Sequence, residues 1–230
     1  MLITVARHRL AFLVGVLVTA VILGVLRQMA IPVVSAASLP LLWALWLGLG
    51  GVGLFAGNAP RPETFVVREG TFTAPPIAGA VLYGGALTVM FVVFADQAVN
   101  EAHRGLGVDA IRISSLVLLA LLVPAQWYSL LGPFGMFLRP DGIVDRQPLG
   151  SIFVPWQAGA TAEPIPYGVK LTFARPDLVV RGGLRRGRAI RTGTDPGFTA
   201  WAIALYTARP ALQTTIGTDE GLLHLIPGRS

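Results

Sequence analysis

Residues 113–144 read ISSLVLLALLVPAQWYSLLGPFGMFLRPDGIV. The first 26 of these positions, through Leu138, hold no Asp, Glu, Lys or Arg, and about 20 apolar residues cross a bilayer's hydrocarbon core as a helix. The turn Arg139-Pro140-Asp141-Gly142 then separates Phe137-Leu138 from Ile143-Val144. Pro presets φ there and Gly supplies a permissive backbone, so the segment predicts a β-hairpin. One stretch therefore carries both the end of an apolar helix and the start of a sheet domain.

Working towards the N-terminus, three more charge-free runs occupy 10–26, 28–60 and 70–95. Trimmed at their Pro, Gly and polar punctuation, the four runs predict transmembrane helices over 9–30, 39–57, 77–95 and 113–131. Pro40 is expected in the first turn of the second helix, where its missing N–H costs nothing. Pro124 is expected inside the fourth, where neighbouring helices satisfy the freed carbonyl. Trp43 and Trp46 are expected near one end of the second helix, and Trp127 and Tyr128 near one end of the fourth. A competing reading of the first span is a signal peptide, since Arg7 and Arg9 precede it and Val34-Ser35-Ala36 resembles a cleavage site. Its apolar core is longer than the usual 7–15 residues, which favours a retained helix.

Composition agrees with a chain folded mostly in lipid: 53% hydrophobic residues, 13% charged, mean hydropathy +0.66, against about 25% charged in soluble domains. The absence of cysteine excludes disulfides, thiolate metal sites, Fe–S clusters and Cys nucleophiles. With four spans both termini lie on one side. Placed in the cytoplasm, that side holds Arg7, Arg9, Arg61, Arg68, Arg139 and Arg146 near the membrane, against Arg27, Arg104 and Arg112 outside. The positive-inside rule thus expects cytoplasmic N- and C-termini in the cell (inner or plasma) membrane.

Beyond residue 131 the character changes. Residues 132–230 carry 11 of the 18 Lys+Arg and 7 of the 12 Asp+Glu, enough charge for a soluble domain with a small core of its own. The expected division is a transmembrane domain over 1–131 and a cytoplasmic domain over 132–230. Ile152, Val154 and Trp156 alternate, as do Val169, Leu171 and Phe173, and Leu178-Val179-Val180 adds a short apolar run; these are half-buried strand patterns. Asp195 and Pro196 then start a helix whose apolar face is expected at Phe198, Trp201 and Leu205, ending before Pro210. Thr218-Asp219-Glu220 opens a last helix expected to run through Ile226.

Leu138-Arg139-Pro140-Asp141-Gly142-Ile143, Val154-Pro155-Trp156, the aromatic-bearing helix, Ala208-Arg209-Pro210 and Ile216-Gly217-Thr218 together resemble the bacterial PH-like domain at the end of actinobacterial multi-pass membrane proteins. The resemblance covers about residues 133–226. It implies an α+β fold, a small PH-type β-barrel or sandwich closed by a C-terminal helix. The chain departs from the family at Gln157-Ala158-Gly159, where a polar or acidic residue would lead into the next strand. Inositol-phosphate binding is not carried over, because the first hairpin here is short and carries Asp141.

Residue patterns associated with catalysis have structural readings here. Gly48-Leu49-Gly50-Gly51-Val52-Gly53 matches G-x-G-x-x-G but lies in an apolar run with no preceding strand and no later ribose-binding acid. Close helix packing is the better reading, with Gly53 and Gly57, and Ala80 and Gly84, at small-xxx-small spacing. His8, His103 and His224 lack metal-ligand spacing, and His103 with Asp96, Glu101 and Asp109 reads as a solvated outer loop. No catalytic residue, cofactor or metal is expected, and the chain reads as a non-enzyme.

One feature stands above background: Arg181, Arg185, Arg186, Arg188 and Arg191 fall within eleven residues with no acid among them, interrupted by Gly182, Gly183 and Gly187. This predicts a flexible basic loop. Beyond a solvated surface, it suits anionic lipid headgroups or an unidentified partner such as another membrane protein; few aromatics interleave the arginines, which disfavours nucleic acid. The reading is an integral membrane protein presenting a PH-like binding or scaffolding domain at the cytoplasmic face. The alternative is an accessory subunit of a membrane transporter or of a membrane-embedded enzyme complex.

Overall fold

A computed structural model of the chain describes residues 2–28, 32–57, 59–103, 105, 109–184 and 187–225. It divides into two units: Met1–Ala59 with Ile77–Gly132, and Pro60–Pro76 with Pro133–Ser230. The sequence drew one boundary, after residue 131; in the structure the segment between the second and third apolar helices also belongs to the second unit.

The first unit is helical. A short α1 (Leu2–Arg7) precedes four helices long and apolar enough to cross a membrane: α2 (Arg9–Gln28), α3 (Pro32–Gly57), α4 (Ala78–His103) and α5 (Ala110–Leu131). Helix α4 is the central one, packing against α2, α3 and α5. Its glycines explain how. A Cβ on Gly79 would lie 2.8 Å from the Gly53 carbonyl oxygen and the Gly57 nitrogen of α3, and one on Gly84 would lie 2.7 Å from a Leu130 methyl of α5. Small residues thus let backbones approach where lipid supplies no hydrophobic drive between helices. Thr88 donates back to the Gly84 carbonyl at 2.9 Å and accepts from the Trp127 indole N–H at 3.0 Å, so the Trp127 ring ties α5 to α4.

Two helices differ from expectation. Helix α3 begins at Pro32, so Pro40 sits inside it rather than in its first turn, and Trp43 and Trp46 are mid-helix. Their rings meet edge to face at 5.4 Å beside the cluster of Val16, Ala20, Leu42, Val89 and Val93. Helix α4 runs past residue 95 to His103. Its charged last turns are tolerated because Asp96 pairs with Arg27 of α2 and Glu101 with Arg112 of α5.

The second unit is built on antiparallel strands. β1 (Val66–Arg68), β2 (Thr71–Thr73), β3 (Gly135–Arg139), β4 (Gly142–Gln147), β5 (Gly150–Pro155) and β8 (Val180–Gly183) form one sheet in the order β1-β2-β3-β4-β5-β8. β6 (Ala160–Ile165), β7 (Gly168–Phe173) and β9 (Ala189–Arg191) form a second, ordered β6-β7-β9. The hairpin expected at Arg139–Gly142 is present, with Phe137 opposite Val144 and Leu138 opposite Ile143. Residues 176–178, of which Leu178 was expected in a strand, form a 3-10 turn, and only Val180 enters β8.

Helix α6 (Pro196–Ala208) packs on β6 and β7. Asp195 caps it, its Oδ1 accepting from Phe198 N–H at 2.9 Å. Its inward face is Phe198, Thr199, Ala202, Ile203 and Tyr206, two adjacent rows at i, i+4 spacing. Trp201, expected inside, is 38% exposed. Helix α7 (Asp219–Leu223) is capped by Thr218, whose hydroxyl accepts from Gly221 N–H at 3.0 Å; residue 226, its expected end, lies outside the described residues.

The core joins Met136, Leu138, Ile143, Ile152, Val154, Val169, Leu171 and Ile190 to Phe198, Ile203 and Tyr206. Phe65, Phe72 and Ala74 enter the same core. An aromatic chain runs through it, with ring centroids 5.6 Å apart for Phe198–Phe65, 6.0 Å for Phe65–Phe72, 6.3 Å for Phe72–Tyr206 and 6.0 Å for Tyr206–Trp156. Segment 60–76 is also bonded along its length: Asp195 N–H donates to Pro62 O, Thr194 Oγ1 to Thr64 O, and Arg61 to Thr192 O.

Candidate functional site

The arginines read as one flexible loop are distributed over two ordered strands and the connection between them. Arg181 lies on β8 opposite Ile152, with Gly182 opposite Ser151 and Gly183 opposite Gly150. These glycines are pinned rather than flexible. Gly183 has φ +64°, and a Cβ there would lie 2.6 Å from the Leu149 carbonyl oxygen, so only glycine allows this approach. Arg188 is exposed just before β9, its carbonyl accepting from Leu171 N–H at 2.9 Å. Arg191 ends β9 opposite Gly168. Arg185 and Arg186 lie outside the described residues.

The structure therefore separates what the sequence grouped. Arg181 and Arg188 flank the connection that leaves the β5–β8 edge, whereas Arg191 stands at the far end of β9, beside the β6–β7 turn. There Tyr167 is exposed, and the Arg61 guanidinium carbon lies 6.0 Å from its ring centroid. Among the described residues, ion pairs engage Arg27, Arg68, Arg112 and Arg139.

The end of the β5–β8 edge carries a feature not singled out from sequence. Leu149, in the β4–β5 turn, and Leu184, just after β8, are each 73% exposed. Leu184 N–H donates to the Leu149 carbonyl at 2.8 Å. Arg146 is exposed on β4, opposite Ser151 of β5. Nearby Asp145 is buried on β4 among Met136 and Ile152, which face it across the ladder, and accepts from Gln147 Nε2 at 3.1 Å. Its row ends at Arg181, since Asp145 faces Ile152 and Ile152 faces Arg181.

The second polar constellation lies in the helical unit. Asp96, with its side chain 5% exposed, accepts from Arg27, from Gln28 Nε2 at 2.7 Å and from Asn100 Nδ2 at 3.2 Å. Three donors around one buried carboxylate satisfy it within the chain and lock α2 to α4. Glu101 pairs with Arg112, and Asp109 caps α5, its Oδ1 accepting from Arg112 N–H at 2.8 Å. The acids considered beside His103 thus have arginine partners. Among the described residues no three His, Cys, Asp or Glu side chains come together as a metal-binding group.

The glycine run 48–53 lies within α3, where Gly48, Gly50 and Gly51 border open space and Gly53 packs on Leu82, Gly79 and Tyr83 of α4. Of this run, Gly53 is the residue that packs on a neighbouring helix. Two residues central to the structure, Asp96 and Phe72, left only faint traces in the sequence: a carboxylate at the margin of an apolar run, and an aromatic between two threonines. No protein-family description, curated protein or solved structure matches this chain.

Proposed function

We propose that the chain is a four-span protein of the cell membrane that presents its sheet unit, a PH-like binding or scaffolding domain, at the cytoplasmic face, and that it is not an enzyme. The observation that carries this reading is the β2–β3 ladder, in which Phe72 pairs with Leu138 and Thr73 with Phe137. Two segments hydrogen-bonded in one sheet occupy one side of a membrane, so the chain between them crosses an even number of times. Helices α4 and α5 supply those two crossings. The arginine count of the sequence favours the cytoplasm for that side, and on the other side Arg27 and Arg112 are neutralised by Asp96 and Glu101. Two antiparallel sheets with α6 packed across one of them support the PH-like reading.

The binding surface in this reading is the arginine-bearing β8–β9 region, and its ligand is the anionic lipid headgroup. Each arginine near such a surface contributes about 1 kcal/mol, falling off over a Debye length of about 8 Å at physiological salt. Contact is therefore electrostatic and salt-sensitive. The test reconstitutes the full chain with photoactivatable phosphatidylglycerol or phosphatidylcholine and maps the cross-linked peptides. Cross-links to 178–194 are expected with the anionic probe, weakened by salt and by Arg185→Ala/Arg186→Ala/Arg188→Ala. Cross-links equal for both lipids, or confined to the helical unit, would overturn the lipid assignment.

A further inference from the structure

The exposed pair Leu149 and Leu184 adds apolar surface to the charge of the β8–β9 region, and a role for that surface rests on the proposed contact with anionic lipid. Turn and loop tips are ordinarily polar, yet here two leucines stand outward at the same sheet edge, each 73% exposed. They are not on a loose loop. The Leu184 N–H bonds the Leu149 carbonyl at 2.8 Å, Gly150 pairs with Gly183, and the space beside Gly183 admits no Cβ. The two side chains stand on turn residues next to strand ends, whose backbone is tied by these bonds before any ligand arrives, so little ordering cost remains for binding.

Charge surrounds this pair. Arg146 lies three residues before Leu149 and Arg181 three before Leu184, while Arg185 and Arg186 follow Leu184 directly. Strands β4, β5 and β8, which build this edge, carry Arg146 and Arg181, both exposed, and one acid, Asp145, which is buried. An apolar tip flanked by arginine is the composition that enters the boundary between headgroups and acyl chains, where apolar area and attraction to anionic lipid add. A protein partner would more often be met by Trp or Tyr, leucine being under-represented among binding hot spots. Single-stranded nucleic acid calls for aromatic stacking platforms, and this edge presents leucines in their place.

We infer that Leu149 and Leu184 form a wedge that inserts into the anionic leaflet of the membrane, with Arg146, Arg181 and Arg188 on the phosphates around it. The same chain carries its own apolar helices, which hold the wedge near a bilayer at high effective concentration.

The chain lacks cysteine, so single reporters are clean. Leu149→Cys, Leu184→Cys and, as control, Asp177→Cys on the exposed 3-10 turn are labelled with an environment-sensitive dye in the full-length protein. The protein is then reconstituted in vesicles with or without phosphatidylglycerol. Both leucine positions are expected to shift to the blue in anionic vesicles and to be quenched several-fold more than Asp177→Cys by doxyl-labelled lipid. The difference should shrink in pure phosphatidylcholine.

A reporter at Pro148→Cys with both leucines native should behave likewise, and Leu149→Asp/Leu184→Asp in that background should abolish its quenching. Leucine reporters quenched no more than the control, while cross-links to 178–194 persist, would overturn the wedge and leave the lipid contact standing. Loss of both signals would overturn both. A blue shift without lipid quenching would mean that protein covers the pair, and would also overturn the wedge.

Discussion

The ring of Phe72, on a two-strand excursion between α3 and α4, lies 6.3 Å from the ring of Tyr206 on α6, and both are fully buried. A residue from the first third of the chain thus completes a core to which residues beyond 133 contribute most of the side chains. Phe72→Ala is expected to destabilise the sheet unit by about 3–5 kcal/mol. Val66→Ala on the neighbouring strand, already 49% exposed, should change stability by no more than about 0.5 kcal/mol. Limited proteolysis of the full chain in detergent, read at 133–225, compares the two. A fragment starting at residue 133, which the sequence expected to fold alone, should be degraded readily because it lacks Phe65, Phe72 and Ala74.

Asp96 and Arg27 form the lock between α2 and α4. Asp96→Leu leaves the Arg27 guanidinium and the Gln28 amide facing a half-buried site without their acceptor, and breaking such a pair costs about 3–5 kcal/mol. Arg27→Met/Asp96→Leu removes both charges and should recover most of that loss. Thermal unfolding in detergent of Asp96→Leu, Arg27→Met and the double variant reads the coupling. Strict additivity would mean the pair is not a lock.

Burial pushes the Tyr206 phenol up to about 12 from its usual 10, an effect that a hydrogen bond with Thr215 partly opposes. Its hydroxyl donates to Gly221 O at 3.1 Å. Because the folded state holds this proton more tightly than the unfolded chain, its contribution is complete below pH 10 and is lost as pH rises from 10 to about 12. Tyr206→Phe should lower stability at neutral pH by about 1 kcal/mol and flatten the decline in that alkaline window. Denaturant midpoints of the full chain between pH 7 and 11.5 test this.

Gly79 of α4 packs directly on the backbone of α3. A side chain there would meet backbone atoms of Gly53 and Gly57 at 2.8 Å, whereas Gly50 borders open space. Gly79→Val should force the helices apart at about 1–3 kcal/mol, and Gly50→Ala should be near neutral. Equal effects would show that the glycine run does not act through packing. Melting temperatures in detergent distinguish the outcomes.

The four apolar helices were legible because a charge-free run of about twenty residues matches the thickness of a bilayer's hydrocarbon core. Their ends were less so. Asp96 and Glu101 read as the start of an outer loop, yet α4 continues through them because Arg27 and Arg112 supply partners. The sheet hairpins with clear turn chemistry, such as that at Arg139–Gly142, were legible. β1 and β2 were not, since three residues each give too short an alternation to be seen and their meaning comes only from pairing with β3. The basic region was legible as composition. Its division was not, because Arg181 and Arg191 belong to strands of different sheets.

Reporter cysteines in the full chain address the central claim, that α4 and α5 carry the chain across the membrane and back so that both segments of the sheet unit share the cytoplasmic side. Glu69→Cys, Asp141→Cys and His103→Cys are placed one at a time in the cysteine-free chain at exposed positions, and intact cells are treated with a membrane-impermeant maleimide. Labelling of His103→Cys, with Glu69→Cys and Asp141→Cys both protected until the cells are lysed, is the predicted result. Opposite behaviour of Glu69→Cys and Asp141→Cys, or protection of all three, would contradict the account.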